Sequence, residues 1–589
     1  MSNSIWAPEV QEIMEKAKAK YLFPSPADWR DHWIYFIMID RFNNPDSPPK
    51  YHPWDGKHGV FQGGNFKGIL AKLDYLKELG VGAIWLSPVF KNCQYNLYTY
   101  HGYGFQDFLK VDPRFGTEED LQTLIQAAHA KGIYVIFDIV LNHAGDVFEY
   151  EGYSTTPPWR DEPYTIYWRD ETGQGRKDWT EAPLDCHEDA ALWPKELRHN
   201  KYFRRKGKGG EAGGDFESLK ELVTEYHETT PERGFHYPVR DLLIKAYQYA
   251  IAKFDIDGFR IDTLKYVQRD FARIFGNAIR EFALSIGKKN FFTFGEVWDS
   301  EEKIAAYIGR SAADADDLVG VDAALDFPLF HKLPGMAKGF LPPAELAHMF
   351  EYRKQVQRGL LSSHGESSRY FVTFLDNHDQ HSRFYYVDPE NPKKYEAQLT
   401  LAMGCLFTLQ GIPCLYYGTE QGLHGMGDSD QCVREALWGK PNAFDINHPF
   451  YKAIQAISYL RAGQPALRYG RQYFREISGN GKEFGISTTK PGILAFSRIL
   501  NDTEILVIAN TNTSNDWSGY VIVDFALNPV GTTYQILYSN QGSQETQTVS
   551  EKPVGNVIIY TIKGHVTYGP VRTLPINLRP MEIQVLKAV

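Results

Sequence analysis

At 589 residues the chain is too long for one ordinary core, and 43% hydrophobic against 23% charged residues is ordinary for a soluble globular chain. A net charge of −10 argues against nucleic acid, which needs a concentrated basic surface. The one basic cluster, Lys201 to Lys208, is flanked by glycines and acids and reads as a solvated loop.

The N-terminus, MSNSIWAPEVQEIMEKAKAKYLF, is interrupted by charge throughout, so it carries no signal-peptide apolar region and no membrane span. Val10, Ile13, Met14, Ala17 and Tyr21 suggest a short amphipathic helix docked on the body, within an N-terminal extension over residues 1–30. Five cysteines (Cys93, Cys186, Cys405, Cys414, Cys432) form no CxxC pair, which fits a reducing compartment. A cytoplasmic protein without membrane partner is expected; oligomeric state is not legible.

From about residue 30, short apolar runs alternate with helical patterns. The runs are Ile34–Asp40, Ala83–Ser87, Tyr134–Val140, Gly258–Asp262, Phe291–Val297, Val321–Phe327, Phe371–Leu375 and Ile412–Tyr417. They are nearly all apolar rather than alternating, as parallel strands covered on both faces require. One predicted helix carries Ile69, Leu70, Leu73, Leu76 and Leu79 and stops at Gly80. Another starts at the cap Thr117, puts Leu121, Leu124, Ile125 and Ala128 on one face, and ends at Gly132. Eight such units predict an α/β chain folded as a (β/α)8 barrel, over 1–142 and 239–465. The stretch between Val140 and Gly258 is too long for a loop and predicts an inserted domain over 143–238, followed by a helix Arg240–Phe254. Beyond Gly463, short β-branched runs at Ile505–Ala509, Tyr520–Phe525, Tyr534–Tyr538, Val557–Ile562 and Ile583–Leu586 predict an antiparallel β-sandwich over 466–589.

Active sites of such barrels lie at the C-terminal ends of the strands. There the sequence places Asp40, Arg41, Asp138, Asn142, His143, Arg260, Asp262, Lys265, Glu296, Asp376, Asn377, His378 and Asp379. No transition-metal Cys/His spacing, GxSxG, GxxxxGK[ST] or strand-borne GxGxxG occurs. What remains is a set of carboxylates with one Arg and two His, and two carboxylates across a cleft are what glycosyl transfer needs. Arg260 and Asp262 share a strand face, so the guanidinium should hold the Asp262 carboxyl low, as suits a nucleophile. Glu296, in an apolar Phe-Phe-Thr-Phe-Gly-Glu-Val-Trp setting, should be raised and act as acid/base. Asp379 would hold sugar hydroxyls and push Glu296 up further.

Four ordered segments carry a resemblance: DIVLNH (Asp138–His143), GFRIDTLKYV (Gly258–Val267), FGEVW (Phe294–Trp298) and FLDNHD (Phe374–Asp379). With IDRF (Ile39–Phe42), YHGYGFQDF, GIPCLYYGTEQGL and REALW in support, residues 33 to 465 resemble glycoside hydrolase family 13, the α-amylase family. The resemblance implies Asp262 as nucleophile, Glu296 as acid/base and Asp379 as transition-state stabiliser. It also implies that His143 and His378 bind the sugar, that Arg260 orients the nucleophile, and that Tyr103 stacks on the sugar. Asp430 and Arg434 would anchor the same glucose, Lys265 would face the leaving group, and Asp138 would brace Arg260. Many members hold Ca²⁺ between barrel and insert, for which Asn142, Asp215 and the Tyr266 backbone carbonyl are the matches. Tyr266 stands where the family usually has His, which removes that side chain from the sugar cleft. No organic cofactor is implied.

The expected activity is retaining hydrolysis of α-1,4 bonds in starch, glycogen or maltodextrins; Thr263 after the nucleophile resembles α-1,4-acting members. A 4-α-glucanotransferase, or an α-1,6-acting debranching enzyme, is the alternative. A non-catalytic binding subunit would have lost its carboxylates, and all three are here.

Overall fold

A computed structural model of the protein describes residues 3–51, 59–153, 163–181, 186–190, 192–209, 213–313, 319–358, 365–552 and 557–589. Eight parallel strands form one sheet: β1 (Ile34–Ile37), β2 (Ala83–Leu86), β3 (Tyr134–Val140), β4 (Gly258–Asp262), β5 (Phe292–Gly295), β6 (Ala323–Ala324), β7 (Val372–Thr373) and β8 (Ile412–Tyr416). Their spatial order is 6-5-4-3-2-1-8-7. A parallel bridge from Leu325 to Val372, with the Asp326 N–H donating to the Val372 carbonyl at 2.9 Å, joins the two ends and closes the barrel. Nearly every strand residue is buried, because strands covered by helices outside and side chains inside have no wet face.

The helices follow their sequence signals. Thr117 caps Glu118–Ala130 with a reciprocal bond to Asp120, and the 17-residue helix Pro238–Phe254 returns the chain from the insert to β4. The helix expected over Ile69–Leu79 is two, Phe66–Leu70 and Leu73–Leu79, broken at Ala71–Lys72 and closed by Gly80 at φ +94°. At the N-terminus, Pro8–Ala19 buries Val10, Met14 and Ala17, but Tyr21 lies beyond the helix and is 89% exposed, so it is not part of the docking face.

After the helix Pro465–Tyr469 the chain turns to two β-sheets. One face of the six-stranded sheet (Leu494, Phe496, Ile505, Val507, Ala509) packs on the barrel, while the alternate residues (Ile493, Ala495, Leu506, Ile508) face the second sheet. This two-residue alternation is why one sheet serves both cores. The second sheet is not wholly antiparallel as expected, since Glu483–Gly485 and Ile558–Tyr560 pair in parallel. The Tyr520–Phe525 run is shifted: its strand is Trp517–Val523, and Phe525 is exposed. At the seam, the buried Arg461 and Arg498 donate to carbonyls of Phe407 and Thr408, at the C-terminal end of the helix Glu396–Thr408. The Lys201–Lys208 cluster is no free loop either: Arg204 pairs with Glu221 and Glu225, and Lys201 with Glu228.

Candidate active site

Strand register explains how the barrel mouth is assembled. Arg260 on β4 lies beside Asp138 on β3, so both side chains point into the barrel from the same level; Asp262, two residues on, points the same way one level higher. The Arg260 guanidinium is fully buried and binds three carboxylates. Its Nη1 donates to Asp138 Oδ1 (2.9 Å) and Asp262 Oδ1 (2.7 Å), and its Nη2 lies 3.1 Å from Glu296 Oε2. Asp138 also accepts from Trp85 Nε1 at 3.0 Å and from the Tyr103 hydroxyl at 2.8 Å.

Glu296 follows β5, and its environment differs from the apolar shell the sequence suggests. Besides Arg260, its carboxylate accepts the Thr263 backbone N–H at 2.9 Å. Thr263 has φ +47°, a left-handed conformation that a β-branched residue rarely adopts, and this turn aims its N–H at Glu296. Asp262 also departs from expectation. Burial pushes its carboxyl well above the usual range; Arg260 opposes this, and Glu296, Asp138 and Asp379 add to it. The sequence argument counted the guanidinium but not the loss of water and the three neighbouring carboxylates. Burial likewise raises Asp138 to about 6.

Asp379, in the loop after β7, stands across the cleft, held by Arg434 Nη2 at 3.1 Å and beside His378 Nε2 at 3.3 Å. Arg434 also pairs with Asp430 at 2.6 Å and reaches the Tyr100 hydroxyl at 3.0 Å. Tyr103 lies stacked between His378 and His101, with its hydroxyl 2.8 Å from His378 Nε2. His143 Nε2 is 4.0 Å from Asp262 Oδ2. His143 Nε2 and His378 Nδ1 are buried without a hydrogen-bond partner. Desolvation lowers His143 to about 3 and His378 well below the usual imidazole value, so both are neutral near pH 7.

Tyr103, His143, Asp262, Glu296, His378 and Asp379 line one cleft of about 750 Å³, together with Lys265, Tyr266, Asp430 and Arg434, while Arg260 and Asp138 lie buried beneath it. Lys265 donates to the Trp298 carbonyl at 3.1 Å. Trp298, Phe216 and Tyr98 also line the cleft, and each keeps its ring at least a third exposed. Sequence reasoning missed these three, since nothing in their spacing separates a rim aromatic from a core one. His381 and Asp428 also line the cleft and were missed as well.

The calcium set tested by the residues present does not assemble around Asp215. Its Oδ2 accepts from the Tyr150 hydroxyl at 2.7 Å and lies 3.2 Å from the Lys220 ammonium, which also reaches Asp146 at 3.1 Å. An ammonium already neutralises the carboxylates a divalent ion would need, and a second cation there would be repelled. Asn142 is buried, with its side-chain Nδ2 3.5 Å from His143 Nδ1. Among the described residues no group of three or more His, Cys, Asp or Glu is arranged to hold a metal. Calorimetry with and without EDTA should therefore show the same unfolding temperature. A drop with EDTA would shift attention to Glu221, opposite His143 in the ladder, whose buried Oε2 has no partner.

The profile of the alpha-amylase catalytic domain matches residues 36–445. The chain belongs to the alpha-amylase family. It is 30% identical over 559 residues to an alpha-amylase of Streptomyces lividans, covering 86% of this chain and 56% of that protein. To a cyclomaltodextrin glucanotransferase of Geobacillus stearothermophilus it is 28% identical, covering 85% and 62%. The chain thus spans little more than half the length of these two curated relatives. Among solved structures, an alpha-amylase from Geobacillus thermoleovorans complexed with acarbose superposes with a TM-score of 0.63 at 26% identity, over 96% of this chain and 99% of that one.

Proposed function

We propose that this alpha-amylase family member is a retaining glycosidase that cleaves α-1,4 bonds of starch-type glucans or maltodextrins by double displacement. The observation that carries this is the sharing of one guanidinium by Asp262 and Glu296. Held at 2.7 and 3.1 Å from Arg260 and both facing one cleft, these carboxylates supply the nucleophile and acid/base pair that a double displacement needs.

In the first step Glu296 gives its proton to the glycosidic oxygen while Asp262 attacks the anomeric carbon, giving a covalent β-glycosyl enzyme. Glu296, now a base, takes a proton from the acceptor hydroxyl as it displaces Asp262. Arg260 orients both carboxylates. Asp379, with Arg434 behind it, faces the reacting sugar and stabilises its developing charge. His143 and His378, both on the lining of the cleft, are the imidazoles placed to meet sugar hydroxyls.

Water and sugar are both possible acceptors for this chemistry. Phe216 and Tyr266, with ring centroids 5.8 Å apart, and Trp298 give the Lys265 side apolar surface on which an acceptor sugar can lie, the feature that favours the glucanotransferase alternative. Incubation with maltoheptaose, followed over time, decides: hydrolysis yields only shorter chains, and transfer yields longer ones. Inert maltoheptaose with cleavage of pullulan at α-1,6 bonds would overturn the α-1,4 assignment.

The raised Asp262 carboxyl sets the acid side of the pH profile. A nucleophile must be ionised, and a group raised in the folded enzyme becomes protonated at a higher pH than free aspartate, near ~3.9. The acid limb of kcat/KM on maltoheptaose should therefore lie above that value. His143, lowered to about 3, does not contribute to it. A limb at or below the free-aspartate value would contradict the burial argument.

A further inference from the structure

A second concavity of about 500 Å³ opens on the same end of the barrel, between the loops after β6, β7 and β8 and the C-terminal sheets. Phe340, Tyr386 and Met426 stand on its wall as large apolar side chains that remain 69%, 40% and 65% exposed. Clustered exposure of this kind marks a binding surface more often than chance. Deeper in, Gln398 is only 6% exposed, and among the described residues none hydrogen-bonds its amide, which therefore faces the cavity. His424 bonds the Gly422 carbonyl through Nδ1 at 2.9 Å, which leaves Nε2 for the cavity.

The lining carries no carboxylate, so a cation has no counter-charge there. Of the two cations on the lining, Arg383 is occupied by Glu435 at 2.8 Å and by two carbonyls, and the Lys338 ammonium lies over the Phe384 ring, 4.9 Å from its centroid. What fits is a neutral ligand with flat apolar faces and a rim of hydroxyls that both donate and accept. A hexose chain is such a ligand: its C–H faces meet the rings, and its hydroxyls meet the Gln398 amide and His424.

Position argues in the same direction. Ser382 bridges Met426, the Gly427 N–H donates to the His381 carbonyl at 3.0 Å, and the Arg383 N–H donates to the Gly425 carbonyl at 2.9 Å. His381 and Asp428 on this narrow ridge face the catalytic cleft, while Ser382 and Met426 face the second concavity. The two depressions therefore back onto the same pair of bridged loops, and a glucan crossing the ridge would touch both.

We propose that this concavity is a second binding site, distinct from the catalytic cleft, for a malto-oligosaccharide segment of an α-glucan. The proposal rests on the α-glucan reading of the cleft, and the test separates the two. Asp262→Asn protein, which binds without turning over, is titrated calorimetrically with maltoheptaose beside the same protein carrying Tyr386→Ala or Gln398→Leu. Two sites are expected, one of them weakened about fivefold or more by either groove substitution. In the otherwise native enzyme, Tyr386→Ala should lower kcat/KM on soluble starch several-fold and leave maltotriose cleavage unchanged; Tyr386 is exposed enough to be truncated without unfolding the protein. A single site, indifferent to both substitutions, overturns the groove and leaves the cleft reading intact. No binding at either place overturns both.

Discussion

Asp262→Asn is expected to lower kcat on maltoheptaose by on the order of 10⁴-fold or more, with the fold intact. The carboxamide keeps the shape of the side chain, and it can still meet Arg260 through its oxygen, but it cannot form the glycosyl ester. Glu296→Gln should behave differently, and the contrast identifies the roles. Glutamine cannot protonate a glycosidic oxygen, so maltoheptaose turnover falls steeply. A maltosyl fluoride, whose leaving group needs no proton, should retain much more of its rate for the glycosylation step. Rapid-quench kinetics on the fluoride would show the covalent intermediate accumulating in Glu296→Gln and absent in Asp262→Asn. If Asp262→Asn cleaves the fluoride as well as Glu296→Gln does, the assignment of nucleophile and acid/base is wrong.

The second large effect is on stability. Arg260 is the cation shared by Asp138, Asp262 and Glu296 at the floor of the barrel mouth. Arg260→Met fills a similar volume but leaves these carboxylates without it, and breaking a buried ion pair from one side costs about 3–5 kcal/mol. The sign with pH follows. Asp138 and Asp262 are already raised by burial, and loss of the guanidinium raises them further. A group raised in the folded state stabilises it below the unfolded carboxylate value, near ~3.9, and loses that contribution as pH climbs through the folded value. The deficit of Arg260→Met should thus be largest at pH 7.5 and shrink towards pH 5, as read from denaturant midpoints at both values. A deficit under 1 kcal/mol, or one independent of pH, would show that the three carboxylates do not depend on Arg260.

Which parts of this were open to the sequence depends on range. Eight barrel strands could be read because a strand covered on both faces is apolar throughout, and that pattern is local. The Arg260–Asp262 contact was legible for the same reason: two residues apart on one strand share a face. Helix ends at Thr117 and Gly80 carry their own capping chemistry. The broken helix at Ala71–Lys72 was not legible, because the apolar spacing runs through the break.

What tertiary structure decided lies where several elements meet. The direction of the Asp262 shift depends on water excluded by every wall of the cleft, so one neighbouring arginine was too little information. Glu296 is held by a backbone N–H that only the left-handed turn at Thr263 delivers, and no residue type announces that turn. Asp215 looked like a calcium ligand from its place in the insert; only the fold brings the Lys220 ammonium to it. Tyr98, Phe216 and Trp298 stand out as exposed rings on the cleft rim only once the fold sets their exposure. The barrel and the carboxylates at its mouth were legible in the sequence alone, because strand patterning and short spacings are properties of neighbouring residues. Charge balance, acceptor surface and second concavity were decided by folding, because desolvation and exposure belong to the whole assembly of walls around a group and not to any stretch of chain.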